Sequence, residues 1–312
     1  MARIASTVLV VALLAATAAA FALTQGLKLE KSPIFGTDVQ RVFSPVCKPG
    51  CERETALIEF KLRKADRLDV SIVEGGEVVR TIERRAAHPR GLVSIEWDGR
   101  DDAGRVLPEG EYQPRIHVRS ERQTITLPNP IRIDVTPPVL QDVTVTPRVV
   151  SPDGDGRSDQ VTVRYRLSEA GRGMLFVNGK RRALTRFPRT EETIVWNGKF
   201  AGRPVGPGVY RLQLAVFDPA GNRTDRTTPI PVGVRYVALG RNRIPVAAGA
   251  RFAVRVSTDA ARVRWTLGGR SGFAPPGTLR LRAPLQKGQF TLTVSANGHT
   301  ARAAVFVREQ AR

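Results

Sequence analysis

The stretch Trp97-Asp-Gly99, followed downstream by Pro108-Glu-Gly-Glu-Tyr112, decides the fold predicted for this chain. The tryptophan ends a strand of alternating apolar residues, and the Asp-Gly dipeptide favours a tight hairpin turn. The tyrosine begins the next strand after a turn that contains proline and glycine. Aromatic rings so placed would cover one end of a β-sandwich core, and stacking on a sugar is the alternative role.

The same pattern recurs as Trp196-Asn-Gly198 and Pro207-Gly-Val-Tyr210. The tryptophans are 99 positions apart (196 − 97) and the tyrosines 98 (210 − 112), which is close to the size of one immunoglobulin-like domain. Short alternating runs around these anchors predict strands, among them Val161–Leu167 and Gly173–Val177. The predicted fold is therefore all-β, with tandem Ig-like β-sandwich domains after one N-terminal apolar helix.

This pattern divides the chain of 312 residues into five parts. They are a transmembrane anchor or signal peptide at residues 1–25, a linker at 26–37, Ig-like domain 1 at 38–135, Ig-like domain 2 at 136–234, and a basic β-sandwich domain 3 at 235–312.

A family resemblance rests on the order of three motifs in the second repeat. Ser151-Pro-Asp-Gly-Asp-Gly-Arg-Ser-Asp159 precedes an alternating strand, then Trp196-Asn-Gly198, then a Pro-Gly-x-Tyr turn. This order resembles the Ig-like domain of the flagellar hook-capping protein, in two copies over residues 38–234, although the first copy lacks the acidic loop. Related modules occur in secreted bacterial proteases and cell-surface proteins. The resemblance implies a β-sandwich with an accessory role.

The N-terminus carries an apolar segment, Ile4–Leu23, without a charged residue. A helix of that length spans roughly 30 Å, the hydrocarbon thickness of a bilayer. We expect a single membrane anchor with the bulk of the chain outside the cell membrane. The alternative is a cleaved signal peptide and a secreted protein, because Ala18-Ala-Ala20 offers a small-residue cleavage pattern.

The two cysteines stand close together as Cys47-Lys-Pro-Gly-Cys51. Two cysteines so spaced in an exported protein predict a disulfide. A catalytic C-x-x-C pair has two intervening residues instead of three. A redox pair and two free thiols are the alternatives.

The acidic loop presents carboxylates at Asp153, Asp155 and Asp159, with glycines that allow a sharp bend. Oxygen ligands of this kind suit calcium. The loop departs from the EF-hand pattern, because Arg157 and Arg164 stand where ligands would be needed. We predict either a structural calcium site of another geometry or a loop closed by Asx turns.

The positive charge is concentrated in the last domain. Residues 235–312 hold 14 basic and 2 acidic residues, within a net charge of +20 for the chain. Such a surface attracts polyanions, here anionic envelope polymers or lipid headgroups, whereas the compartment and the missing sequence motifs argue against nucleic acid. The alternative is a merely basic surface from a compositional arginine bias. The residues predicted to bind polyanions, on outward strand faces, are Arg251, Arg255, Arg264, Arg280 and Arg282.

Residues suited to catalysis are few. The chain has three histidines, and it contains no nucleophile elbow, H-E-x-x-H motif or P-loop, so we expect no enzymatic activity. The leading hypothesis is a cell-envelope protein that displays tandem Ig-like modules as a spacer, adhesion or polyanion-binding surface. The alternative is an accessory module of a flagellar assembly or extracellular enzyme. The sequence identifies no protein partner.

Overall fold

The computed structural model describes residues 11–21, 31–47, 51 and 53–309. Residues 11–21 form a helix, and almost all other regular structure is β-strand. Residues 1–10 and 22–25 of the predicted anchor lie outside the described residues, as do linker residues 26–30. Among the described residues, no helix is both long and apolar enough to cross a membrane. The chain divides into two compact units, Met1–Val135 and Thr136–Arg312.

The first unit contains one β-sandwich, here called the first sandwich. One sheet has the strand order β1-β3-β6 and the other β2-β9-β7-β4-β5, with β8 beside β7. Neighbouring strands are antiparallel except β2 and β9, which are parallel. The strands are β1 (Ile34–Val39), β2 (Val42–Phe43), β3 (Ala56–Leu62), β4 (Asp66–Glu74), β5 (Glu77–His88), β6 (Gly91–Trp97), β7 (Gly110–Val118), β8 (Gln123–Thr126) and β9 (Ile131–Ile133).

Alternating side chains build the core between these two sheets. In β3 every second residue is buried, from Ala56 to Leu62, because successive side chains of a strand point to opposite faces. Trp97 lies at the centre of an aromatic group, with ring centroids 5.4 Å from both Phe43 and Tyr112. Trp97 is 1% exposed and Tyr112 is fully buried, so both rings belong to the core and are closed to a sugar.

The second unit begins with the central sandwich. Its two sheets share one strand, β12, which pairs with β10 and β14 in one sheet and with β13 and β17 in the other. The second sheet continues from β17 to β18 and β11, the last two being parallel. The strands are β10 (Leu140–Thr146), β11 (Val149–Val150), β12 (Val161–Val177), β13 (Lys180–Leu184), β14 (Arg189–Trp196), β15 (Lys199–Phe200), β16 (Arg203–Pro204), β17 (Gly208–Phe217) and β18 (Ile230–Val234).

The continuous β12 differs from the sequence prediction of two separate strands. The chain passes from one sheet to the other near Gly171, where a Cβ atom would lie 2.7 Å from the side chain of Val216. Gly173 has a similar function, since its Cβ would lie 2.3 Å from the hydroxyl of Tyr165. Two close approaches at glycine therefore let one strand serve both sheets.

The C-terminal sandwich completes the second unit. Its sheets have the orders β19-β21-β24 and β20-β26-β25-β22-β23, and β20 runs parallel to β26. The strands are β19 (Ala238–Leu239), β20 (Arg243–Ala247), β21 (Arg251–Ser257), β22 (Val263–Leu267), β23 (Arg270–Ala274), β24 (Gly277–Arg282), β25 (Gly288–Ala296) and β26 (His299–Arg308).

Candidate functional site

The entry loop of the first sandwich is closed by a covalent bond. Cys47 and Cys51 form a disulfide with their Cα atoms 6.1 Å apart, which confirms the predicted pairing. The amide of Ser44 donates to the carbonyl of Arg53 at 3.0 Å and so ties the two ends of the loop. Residues 48–50 and 52 lie outside the described part of the chain.

The entry loop of the central sandwich is closed by hydrogen bonds instead. The two carboxylate oxygens of Asp159 accept the amides of Gly154 and Gly156 at 2.7 and 2.8 Å. Asp153 Oδ1 accepts the amide of Asp155, and Asp155 Oδ1 accepts the amide of Arg157. The loop thus contains Asx turns, and Asp159 is committed to holding it closed.

Two of the three predicted ligands meet a third carboxylate that the sequence did not indicate. One carboxylate oxygen from each of Asp153, Asp155 and Asp259 lies within 4.8 Å of the other two, and we call these three residues the acidic cluster. Asp259 follows β21 in the C-terminal sandwich, so the cluster joins the two sandwiches of the second unit. Asp159 is not a member of the group.

Hydrogen bonds and burial set the electrostatics of the acidic cluster. Asn297 Nδ2 donates to Asp153 Oδ2 at 3.1 Å and to Asp155 Oδ2 at 2.9 Å. Arg157 donates from Nη1 to the backbone carbonyl of Asp259 at 3.3 Å. Burial raises the pKa of Asp259 and the charges of Asp153 and Asp155 add to the rise, while the Ser151 hydroxyl opposes it. Oxygen atoms dominate this site, which is the chemistry that hard cations prefer.

Four of the five predicted arginines share one surface, here called the arginine face. Arg251 and Arg255 lie on β21, and Arg280 and Arg282 lie on the adjacent β24, all with exposed side chains. Arg251 is directly opposite Arg282 in the strand register. The face contains an open pocket with a volume of about 610 Å³. Its lining residues are Arg251, Arg280, Arg282, Phe252, Ala253 and Leu281.

The fifth arginine, Arg264, is exposed on β22, which belongs to the other sheet of the same sandwich. It is therefore separated from the arginine face. Among the described residues, none of the four arginines of the face has a carboxylate oxygen within 4.0 Å. Their charges are balanced by solvent ions and remain available to an anionic ligand.

The sequence of the first sandwich has a family match. Residues 53–121 match the FlgD Ig-like domain. The match runs from before β3 to beyond β7 and includes Trp97 and Tyr112. It supports the family resemblance for the first sandwich, whereas the second copy predicted in residues 136–234 is not confirmed. No curated protein matches the chain.

The chain aligns with solved structures of several different kinds of protein. The titin I-band fragment I67–I69 aligns with 90% of this chain and 100% of its own, at 9% identity and a TM-score of 0.30. Another aligned structure is SGBP-B of the Bacteroides ovatus mixed-linkage glucan utilization locus, in complex with a mixed-linkage heptasaccharide. It has 17% sequence identity and a TM-score of 0.23, and the alignment covers 78% of this chain and 61% of SGBP-B. Dimeric latent PorU from Porphyromonas gingivalis has 12% sequence identity and a TM-score of 0.20, and the alignment covers 82% of this chain and 32% of PorU.

Proposed function

We propose that this chain is a non-enzymatic cell-envelope protein that displays its Ig-like sandwiches outside the membrane and binds a polyanion through the arginine face. The observation that carries the proposal is the set of four exposed arginines on adjacent strands of one sheet, without an ion pair among the described residues. On an ordinary solvent-exposed surface, arginines are instead interspersed with acidic residues.

The geometry of the arginine face suits a repeating anion. Arg251 and Arg255 are four residues apart on one strand, which places them roughly 13 Å from each other. Arg280 and Arg282 add two charges on the neighbouring strand. A planar guanidinium can bind phosphate or carboxylate through two parallel hydrogen bonds. A polymer that carries such groups at intervals could engage several arginines at once.

The placement outside the membrane rests on the uncharged segment Ile4–Leu23. The proposal that the chain has no enzymatic activity rests on its scarcity of histidine and on the missing catalytic motifs. In this proposal the first and central sandwiches serve as spacer modules.

Binding of the purified full chain to soluble polyphosphate and to polygalacturonate, across a salt series, tests the proposed function. We expect binding that weakens steeply with salt, because exposed charges are screened beyond roughly 10 Å at 0.1 M. The double variant R280E/R282E should bind about tenfold more weakly, because each reversal replaces an attraction with a repulsion. Phosphatidylglycerol vesicles provide a parallel arm that separates lipid headgroups from polymers.

The matched control is R264E/R302E, which changes the net charge equally on strands β22 and β26 of the opposite sheet. We expect this control to retain most of the affinity. Equal loss in both double variants would show that overall charge, and not the arginine face, is responsible, and it would contradict the proposal.

An accessory role in a flagellar assembly or an extracellular enzyme system is the second candidate function. The match of residues 53–121 to the FlgD Ig-like domain favours it. Capture of the tagged full chain from its own cells with flagellar or hydrolase components, unchanged by R280E/R282E, would support this role over polyanion binding.

A further inference from the structure

Three carboxylates from two sandwiches meet in the second unit without a positive partner. Asp153 and Asp155 belong to the acidic loop of the central sandwich, whereas Asp259 follows β21 of the C-terminal sandwich. Their oxygens lie within 4.8 Å of one another. Like charges at that separation destabilise each other, so the arrangement requires a neutralising group.

The polar groups that surround the acidic cluster do not neutralise it. The Arg157 guanidinium donates to the backbone carbonyl of Asp259 and not to its carboxylate. Asn297 donates to Asp153 and Asp155 but carries no charge. Within the described ranges, no lysine or arginine nitrogen lies within 4.0 Å of a carboxylate oxygen of the three aspartates.

Asp259 gives an independent indication of a ligand. Both of its carboxylate oxygens are closed to solvent, and neither has a hydrogen-bond donor in the part of the chain that the structure describes. The nearby Ser151 hydroxyl has a single proton, which it donates to Asp153 Oδ2 at 3.1 Å. Carboxylate oxygens that are closed to water and lack a donor are stabilised by a proton or by a cation.

We propose that Asp153, Asp155 and Asp259 bind one calcium ion at the contact between the central and C-terminal sandwiches. The cluster consists of carboxylates, and hard oxygen ligands of variable geometry favour calcium over zinc, which prefers nitrogen and sulfur. Rotation of the Asn297 amide would bring its oxygen toward the ion as a fourth protein ligand. Asp159 keeps its role in closing the loop.

The proposed ion would connect the two sandwiches, because its ligands lie on both. Metal binding to the folded state stabilises that state by mass action. Calcium should therefore raise the melting temperature of the second unit and leave that of the first unit unchanged. This inference is independent of the arginine face and of any polyanion.

Isothermal titration of the calcium-free full chain with calcium chloride tests the proposal. We expect one site per chain with a dissociation constant of about 0.1–1 mM, the range of extracellular calcium modules. Asp259→Asn and Asp155→Asn should each weaken binding at least tenfold. Asp155 is exposed, so its substitution provides a test in a folded chain even if the change at the less exposed Asp259 disturbs the fold.

The matched control is Glu191→Gln, which removes one exposed acidic charge on β14 of the central sandwich. This variant should bind calcium as the parent chain does. The proposal is wrong if the parent chain shows neither heat nor a higher melting temperature at 10 times the upper expected dissociation constant, about 10 mM. It is also wrong if neither aspartate substitution weakens the binding.

Discussion

The entry loops of the first and central sandwiches share a frame and differ in how they are closed. In both, a proline after serine packs against the glycine that follows the tryptophan: Pro45 against Gly99, and Pro152 against Gly198. The first loop is then closed by the Cys47–Cys51 disulfide, whereas the central loop is closed by the carboxylate of Asp159. A loop held by hydrogen bonds leaves other side chains free to contact a neighbouring domain, as Asp153 does with Asn297.

The tyrosines of the two sandwiches extend the shared frame. The hydroxyl of Tyr112 donates to the carbonyl of Pro108 at 2.9 Å, and that of Tyr210 donates to the carbonyl of Gly206 at the same distance. Each tyrosine also packs near its tryptophan, with centroids 5.4 and 5.3 Å apart. The frame therefore depends on the aromatic and glycine anchors, and the loop between them can vary.

The largest expected effect comes from breaking the frame itself with Gly198→Ala. The new Cβ would lie 2.4 Å from Pro152, at a residue with φ of +64°. We expect a loss of about 3 kcal/mol in the free energy of unfolding, from overpacking and a left-handed backbone together. Denaturant unfolding of the full chain measures it, and the smaller overlap at Gly99, 2.9 Å from Pro45, predicts a milder defect for Gly99→Ala.

Gly202→Ala is the control for that prediction. Gly202 has a similar φ of +78°, but a Cβ added there would have no neighbouring atom within 4 Å, so this change isolates the backbone cost of about 1 kcal/mol. If Gly198→Ala is no more damaging than Gly202→Ala, the contact with Pro152 is not part of the frame.

Removal of the covalent closure is expected to have the second largest effect. The double variant C47S/C51S should lower the stability of the first sandwich by about 2 kcal/mol, because the small loop gains chain entropy when unfolded. Calorimetry of the full chain should show a shift in one transition only, which also identifies the transition of the first unit. A shift in both transitions would contradict independent closure of the two loops.

The smallest expected effect is a difference in the acid response of the two units. Burial alone would raise the pKa of Asp66, but hydrogen bonds from Ser120 and Arg67 hold it below the usual value. Its contribution to stability is present above the unfolded pKa of about 3.9 and is lost as the pH falls through the lower folded value. Burial raises the pKa of Asp259, so its charge destabilises the folded state at neutral pH, and that cost disappears as the pH falls toward about 3.9.

In calcium-free buffer, the transition of the second unit should therefore gain stability relative to the first between about pH 7 and about pH 4. Calorimetric scans at intervals of pH measure this difference. Asp259→Asn should abolish the relative gain, since the amide does not titrate. A gain that persists in this variant would assign the effect to another group.

The sequence predicted the part of the structure that depends on local pattern. The alternation in β3, the buried tryptophans and the disulfide follow from residues close together in the chain. It missed the continuous strand β12, because the crossing at Gly171 depends on contact with Val216 of a distant strand. It also could not show that Arg264 lies on the other sheet from the arginine face, since alternation identifies the outward side of a strand but not the sheet to which the strand belongs.

Asp259 shows the same limit for the candidate metal site. It stands alone between Thr258 and Ala260, without the glycines or neighbouring acids that make a ligand loop recognisable. Only the packing of the C-terminal sandwich against the acidic loop brings it to Asp153 and Asp155. A sequence pattern can therefore indicate a ligand loop, but a ligand from another domain requires the tertiary structure.

The parallel pairing near the start and end of each sandwich has a mechanical consequence. In all three sandwiches an early strand lies parallel to the last one: β2 with β9, β11 with β18, and β20 with β26. When the two ends of a sandwich are pulled apart, the two parallel strands of such a pair are pulled in opposite directions along their length. All the hydrogen bonds between the two strands then bear the force at the same time and do not break one after another. The C-terminal sandwich has five residue pairs in this arrangement and the other two have two each, so it should be the last to yield to force.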